Sequence, residues 1–184
     1  LPLNIFEPRY LEMINKAISS KSRLVGMIQP NNSGQNKLYD VGCAGKIIKF
    51  EETRDKRYLI TLKGISRFDL ISEKTNRKNF REAQVKWENF SKDLQKNDTK
   101  ETFTNLKMSL KRYFKLKNIK VNFEVIDKCY DYNFVDQITM ICPLAFEEKQ
   151  LLLETTSISK RSNLLQSIID GYASEENISR VVKH

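Results

Sequence analysis

Few side chains in this sequence have the type and spacing that catalysis needs. The only histidine is His184, the last residue, so general acid–base catalysis by an imidazole is not expected. Neighbouring carboxylates occur at Glu51–Glu52, Glu147–Glu148 and Glu175–Glu176, but adjacent residues point to opposite faces of a strand and diverge by about 100° on a helix. Such pairs do not converge on one substrate bond as an acid and a base. The sequence therefore predicts a protein without a catalytic site, which is not an enzyme.

Metal-binding side chains are equally sparse. The three cysteines, Cys43, Cys129 and Cys142, form no CxxC pair, and together with His184 they do not supply a four-ligand zinc set. Three thiols without a disulfide pattern are typical of the reducing cytoplasm. We therefore expect no metal, no cofactor and a cytoplasmic location.

One short stretch has the composition of a phosphate-binding loop. Gly42 and Gly45 precede Lys46, but the four-residue gap between the glycines is missing. Ile47 also stands where a magnesium-binding hydroxyl would be needed. The glycines instead favour a strand with a bulge or a close backbone approach.

The charge of the chain is the one compositional feature that suggests a partner. The formal net charge is +9, and residues 1–90 carry 17 Lys/Arg against 10 Asp/Glu, while residues 91–184 carry 15 against 13. A basic surface favours acidic partners, including nucleic acid. The candidate basic patch combines two clusters, Lys74, Arg77, Lys78 and Arg81, and Lys107, Lys111 and Lys115. For the second cluster, the solvated face of an amphipathic helix is the favoured interpretation.

The first half of the chain has mostly the two-residue period of β-strands. A helix is predicted over 7–21, with Asn4 as its cap and Pro8 in its first turn. Strands are predicted at 24–28, 41–50, 58–62, 68–71 and 83–87, with Gly64 in a tight turn of positive φ. Several short strands with one early helix indicate a small barrel or a strongly bent sheet.

The second half has a helical period. Residues 88–101 are polar and predict a linker or a helix start, and Trp87 and Phe90 before them are expected to be core contacts. One apolar helix face follows, made by Phe103, Leu106, Leu110, Tyr113 and Phe114. Further helices are predicted over 122–131, 134–141, 145–154, 158–171 and 175–183, and no run reaches the roughly 20 apolar residues that span a bilayer. We divide the chain into a β-rich part, 1–90, and a helical part, 91–184.

Five segments resemble the Lon protease N-terminal (substrate-binding) domain family, in the family's order. The opening Leu1–Tyr10 is similar to the family signature LPLxIFEPRY. The later matches are Asp40–Ile47, Tyr58–Leu70, Phe80–Val85 and Pro143–Glu154, the last resembling a helix with the pattern eKQxLLE and followed by Arg161 and Leu164. One such match is weak evidence, but five in order over most of the chain are specific.

The resemblance implies an α+β fold, a PUA-like β pseudo-barrel with an early helix, followed by a C-terminal α-helical bundle. It also implies a role in holding protein substrates rather than in proteolysis, because the sequence contains neither a phosphate loop nor a serine–lysine peptidase dyad. We therefore expect a free-standing bacterial member of the family. The family normally has a strand before its LPL motif, so we expect the N-terminus of the sequence to be incomplete.

The motif residues are expected to act mainly as structural residues. They are Glu7, Pro8, Arg9, Tyr10, Gly42, Gly64, Arg67, Lys149, Gln150, Glu154 and Arg161. A ligand site at Glu7, Arg9 and Tyr10 is the alternative, but a planar guanidinium such as that of Arg9 suits a buried polar network that holds the helix to the barrel.

Two functions remain in competition. The leading hypothesis is a non-catalytic module that binds unfolded or partner polypeptides, with an exposed apolar groove between the barrel and the helices. The alternative is an RNA-binding PUA-like protein that uses its basic surface, whose affinity would fall steeply with salt. No membrane interaction is expected, and the oligomeric state is left open.

Overall fold

The chain forms two compact units, a β unit of residues Leu1–Lys96 and a helical unit of residues Asn97–His184. A computed structural model describes residues 1–31, 37–75, 79–95, 102–128 and 133–181. In these residues the β unit forms an antiparallel sheet and the helical unit forms α-helices, so the predicted α+β class is confirmed.

The β unit is built around one long strand. Its elements are β1 (Pro2–Ile5), α1 (Pro8–Ser19), β2 (Leu24–Met27), β3 (Val41–Glu52), β4 (Tyr58–Thr75), β5 (Arg81–Lys86) and a 3₁₀ helix (Glu88–Leu94). The strand order is β1-β4-β3-β2, and β5 also pairs with β4. Among the described strands this path is open, so hydrogen bonds alone do not close the sheet into a ring.

Helix α1 covers one face of the sheet. Pro8 occupies its first turn as predicted, because the missing N–H would have no helical partner there. The predicted cap is wrong, since Asn4 lies in β1 and pairs with Leu59, while Glu7 precedes the helix and its carbonyl accepts the amides of Tyr10 and Leu11. The core under the helix consists of Ile14, Ala17, Val25, Ile47, Ile60 and Leu62.

The glycines of the sheet have two different roles. At Gly42 a Cβ would lie 2.5 Å from the Phe68 ring and 2.8 Å from the Met27 carbonyl oxygen, which is the close approach expected from the sequence. The expectation of a positive φ at Gly64 is wrong, because no described glycine has one. Gly64 pairs with Gly45 inside the continuous strand β4, next to a register shift between Ala44 and Gly45. An irregularity of this kind bends a strand without ending it.

The segment predicted as a linker or a helix start at 88–101 contains the 3₁₀ helix up to Leu94. Phe90, only 2% exposed, is core as expected, whereas Trp87 is 37% exposed and lies 6.0 Å from the Phe68 ring, edge to face. Phe90 is therefore the buried contact of a segment that is otherwise mostly polar.

The described part of the helical unit contains five helices. They are α2 (Thr104–Leu116), α3 (Phe123–Lys128), α4 (Phe134–Ile141), α5 (Phe146–Glu154) and α6 (Ile158–Val181). The segments predicted as 158–171 and 175–183 belong to this single α6 as far as residue 181; Gly171 does not interrupt it. The apolar face of α2 is buried as predicted and packs with Val135, Leu165 and Ile169, each 0% exposed. None of the described helices is long and apolar enough to cross a bilayer.

Candidate functional site

The motif residues before and in the first turn of α1 form a surface cluster. Arg9 Nε donates to Glu7 Oε2 at 2.9 Å, and its guanidinium lies 4.6 Å from the centre of the Tyr10 ring. The Arg9 side chain is 50% exposed, so it is not in the buried network that we expected. Glu7, Pro8, Arg9, Glu12 and Asn79 line an open depression of about 440 Å³. Three of its five lining residues, Glu7, Arg9 and Glu12, carry charged side chains.

Arg67 fixes the 3₁₀ helix to β4. Its Nε donates to Asp93 Oδ2 at 2.8 Å and its Nη2 to Asp93 Oδ1 at 2.7 Å, while its backbone N–H donates to Oδ2 at 3.0 Å. The two side chains are 8% and 16% exposed, and the guanidinium lies 4.6 Å from the centre of the Phe90 ring. Arg67 therefore anchors the chain after β5 rather than a turn at Gly64.

The motif on α5 is partly buried within the helical unit. Gln150 is 1% exposed and donates from Nε2 to Glu154 Oε1 at 2.8 Å. Lys149 is half-buried on the same helix. Glu148 accepts the Ala145 N–H at 2.8 Å and the Tyr172 hydroxyl at 2.7 Å, and this hydroxyl bond raises the pKa of Tyr172.

Arg161 joins the two helices that precede α6. Its Nη1 donates to Asp136 Oδ1 of α4 at 2.6 Å, and its Nη2 and Nε donate to the Thr155 carbonyl after α5 at 2.9 and 3.2 Å. Arg161 is 5% exposed, while the Asp136 side chain is 50% exposed. One guanidinium thus holds both helices that flank the connection 142–145.

The end of α4 and the start of α5 carry the most exposed large apolar side chains that the structure describes. Met140, Ile141 and Phe146 are 70%, 67% and 74% exposed. Between them, Cys142 and Leu144 are buried and anchor the connection, and the Leu144 N–H donates to the Cys142 carbonyl at 2.8 Å. We call residues 140–146 the apolar segment.

The apolar segment was not predicted from the sequence. The sequence signal for it is Met140–Phe146, a run of seven residues without a polar side chain. Within this run, Pro143 interrupts the helical period. Clusters of exposed apolar side chains on soluble proteins mark interaction sites, and methionine adapts to differently shaped partners.

The candidate basic patch is not one uniform surface. Arg81 pairs with Glu73 at 3.0 Å, and Lys111 pairs with Asp127 at 2.6 Å. Lys107, only 6% exposed, donates to the Asp127 carbonyl at 2.9 Å, so it does not lie on a solvated helix face. Lys74 and Lys115 are exposed, and Arg77 and Lys78 lie outside the described residues.

The two described thiols differ in environment. Cys43 is partly exposed, whereas burial raises the pKa of Cys142 to about 11, an effect that nearby Lys149 only partly offsets. Cys129 lies outside the described residues. No group of three or more metal-binding side chains comes together among the described residues.

These environments predict different alkylation rates. With Cys129→Ser as the background, a variant that keeps only Cys43 should react with iodoacetamide at pH 8 at least about tenfold faster than one that keeps only Cys142. The reason is that a thiol with a raised pKa holds little of the reactive thiolate below that pKa. The rate at Cys142 should rise as the pH approaches 11, and equal rates at pH 8 in the folded protein would contradict this assignment.

Comparison with known proteins gives consistent matches. The family described as "ATP-dependent protease La (LON) substrate-binding domain" matches residues 1–171. Lon protease 1 of Hydrogenovibrio crunogenus is 27% identical over 195 aligned positions, which cover 100% of this chain and 24% of that protein. The chain therefore spans about a quarter of that relative's length.

Two solved structures have the same fold. A Lon N-terminal domain protein from Xanthomonas campestris is 17% identical, with a TM-score of 0.65, and the match covers 91% of this chain and 88% of that one. The N-terminal domain of the Mycobacterium avium complex Lon protease is 13% identical, with a TM-score of 0.64 and coverage of 92% and 90%.

Proposed function

The chain belongs to the ATP-dependent protease La (LON) substrate-binding domain family, and from that premise we propose that it binds unfolded or partner polypeptides and catalyses no reaction itself. The family resemblance predicted from the sequence motifs is thereby confirmed. The proposal covers binding alone, and it includes a cytoplasmic location, where thiols such as those of Cys43 and Cys142 stay reduced.

The observation that carries this proposal is the apolar segment. A folded polypeptide hides most of its large apolar side chains, whereas an unfolded one exposes them and can cover Met140, Ile141 and Phe146. The buried anchors Cys142 and Leu144 hold the segment in place, so little ordering is needed when a partner binds.

Removing the exposed side chains of the apolar segment should weaken polypeptide binding. We expect Met140→Ser/Ile141→Ser/Phe146→Ser to bind a labelled, permanently unfolded polypeptide at least about tenfold more weakly, because about 1.4 kcal/mol of lost apolar burial corresponds to a factor of ten. Fluorescence anisotropy at low and high salt measures this affinity.

Met108→Ser is the matched control, since Met108 is 59% exposed on α2 of the same unit. It should bind like the wild type, and circular dichroism should show that both variants are folded. Equal affinities for the triple variant and the control would remove the apolar segment from the binding surface. If RNA competes and high salt abolishes binding, the chain is a nucleic-acid-binding protein instead.

A further inference from the structure

One face of the sheet in the β unit stays open to solvent. On β4, Leu59, Thr61 and Lys63 alternate with Ile60 and Leu62, which are buried against α1 and its neighbours. Residues directly opposite on antiparallel strands share a face. On β3 and β4 the outer sheet face carries Lys46, Lys49, Glu51, Leu59, Thr61 and Lys63, which pair as Lys46 with Lys63, Lys49 with Thr61 and Glu51 with Leu59. On the flanking strands, Pro2, Asn4 and Leu24 lie opposite Thr61, Leu59 and Lys46 on the same face.

A β-bulge brings a third lysine to this face. Ile47 pairs with Leu62 and Lys49 with Thr61, so Ile48 is the extra residue of β3. In a regular strand, residues 47 and 49 would point to the same side, so Lys49 would lie on the core side with Ile47. Because of the bulge, Lys46 and Lys49 lie on the same exposed face.

The arrangement of the lysines opposes folding. Lys46 lies directly opposite Lys63, and like charges at such positions destabilise a sheet. None of the three lysines forms an ion pair with another residue in the described part of the chain, and Glu51 is the only acid on the outer sheet face. Residues 1–96 carry 19 Lys/Arg against 11 Asp/Glu, so the β unit holds +8 of the +9 net charge.

We propose that the outer sheet face binds acidic segments of polypeptides. Carboxylates of the segment lie between the amines of Lys46 and Lys63 and relieve their repulsion, while an apolar side chain of the segment covers Leu59, which is 40% exposed. This inference rests on the proposed function and deepens it, because it names the class of polypeptide that the β unit selects.

The composition of the outer sheet face favours a polypeptide over a nucleic acid. Single-stranded nucleic acids are bound by aromatic side chains on which bases stack. The outer sheet face presents the aliphatic Leu59, while Phe50 and Tyr58 are in register with Ile60 and Ile5 on the opposite side of the sheet. Glu51 would also repel a phosphate backbone, which is charged at every nucleotide. A peptide carries carboxylates at only some positions, so it can place them near the lysines and away from Glu51.

The test compares two labelled unfolded peptides of the same sequence, one with Asp and Glu and the other with Asn and Gln at the same positions. At low salt the full-length chain should bind the acidic peptide about fivefold more tightly, as expected for two exposed ion pairs, and about 1 M salt should abolish this preference. Lys46→Gln/Lys63→Gln should lose the preference. Lys115→Gln/Lys120→Gln, which removes the same charge from exposed positions of the helical unit, should keep it.

A preference that survives in Lys46→Gln/Lys63→Gln would overturn the proposal, provided that Trp87 fluorescence shows the variant folded. Loss of oligouridine binding in this variant, with unchanged peptide binding, would also overturn it in favour of a nucleic-acid surface. Either failure leaves binding of the amide peptide intact, whereas failure of the proposed function appears as no binding of either peptide by the wild type. We also expect the variant to unfold at a urea concentration no lower than the wild type, because a like-charge pair has been removed.

Discussion

Asp93→Ala is expected to lower the free energy of unfolding of the β unit by about 3–5 kcal/mol. The substitution removes the carboxylate that accepts the Nε and Nη2 bonds of the buried Arg67 guanidinium, and removing one partner of a buried ion pair has about this cost. Phe90 and the rest of the 3₁₀ helix should detach at lower denaturant. Urea unfolding followed by the fluorescence of Trp87, the only tryptophan, measures the effect within this unit.

The matched control is the exposed pair that joins β4 to β5. Glu73→Ala removes the partner of Arg81, whose side chain is 41% exposed, and should change stability by less than about 1 kcal/mol. Arg67→Met/Asp93→Leu should recover much of the loss, because replacing both members by apolar side chains leaves no unpaired charge. If Asp93→Ala were as stable as Glu73→Ala, the buried pair would not anchor the 3₁₀ helix.

Arg161→Ala is expected to destabilise the helical unit by about 2–3 kcal/mol. The Thr155 carbonyl loses two donors and Asp136 loses its cation, and hydrogen bonds to charged groups contribute about 1.5–3 kcal/mol. For the bond to Asp136 we use the low end of this energy range, because the Asp136 side chain is half exposed. The helical signal in circular dichroism should therefore fall at lower urea, while the Trp87 transition should keep its midpoint.

Arg161 also bears on the proposed function, because it holds α4 and α5 on either side of the apolar segment. The variant should bind an unfolded polypeptide more weakly even where it is fully folded. Arg112→Ala is the control, since the Arg112 side chain is 57% exposed and pairs with Asp170 of the same helix α6. Arg161→Ala with the stability and affinity of this control would show that the guanidinium does not position the helices.

The sequence by itself determined the family, the α+β class and most of the helices. Ordered motifs survive divergence because each occupies a position with a specific steric demand, such as Gly42 under the Phe68 ring or Pro8 in the first turn of α1. Helix α4 was predicted with the bounds 134–141 that the structure has, because Pro143 and the 3.6-residue period mark its end locally. These are properties that near neighbours in sequence decide.

Only the tertiary structure decided which side chains are exposed and which are paired. The sequence predicts Lys107 to be a surface lysine. Its side chain is instead buried, and its amine donates a hydrogen bond to the carbonyl of Asp127, 20 residues away. Arg67 finds Asp93 at a separation of 26 residues, and Met140 and Phe146 project to solvent while Cys142 between them is buried. A period in the sequence specifies the direction of a side chain relative to its own helix or strand. Whether another element buries that side chain depends on packing between segments that are distant in sequence, and the local sequence does not determine this packing.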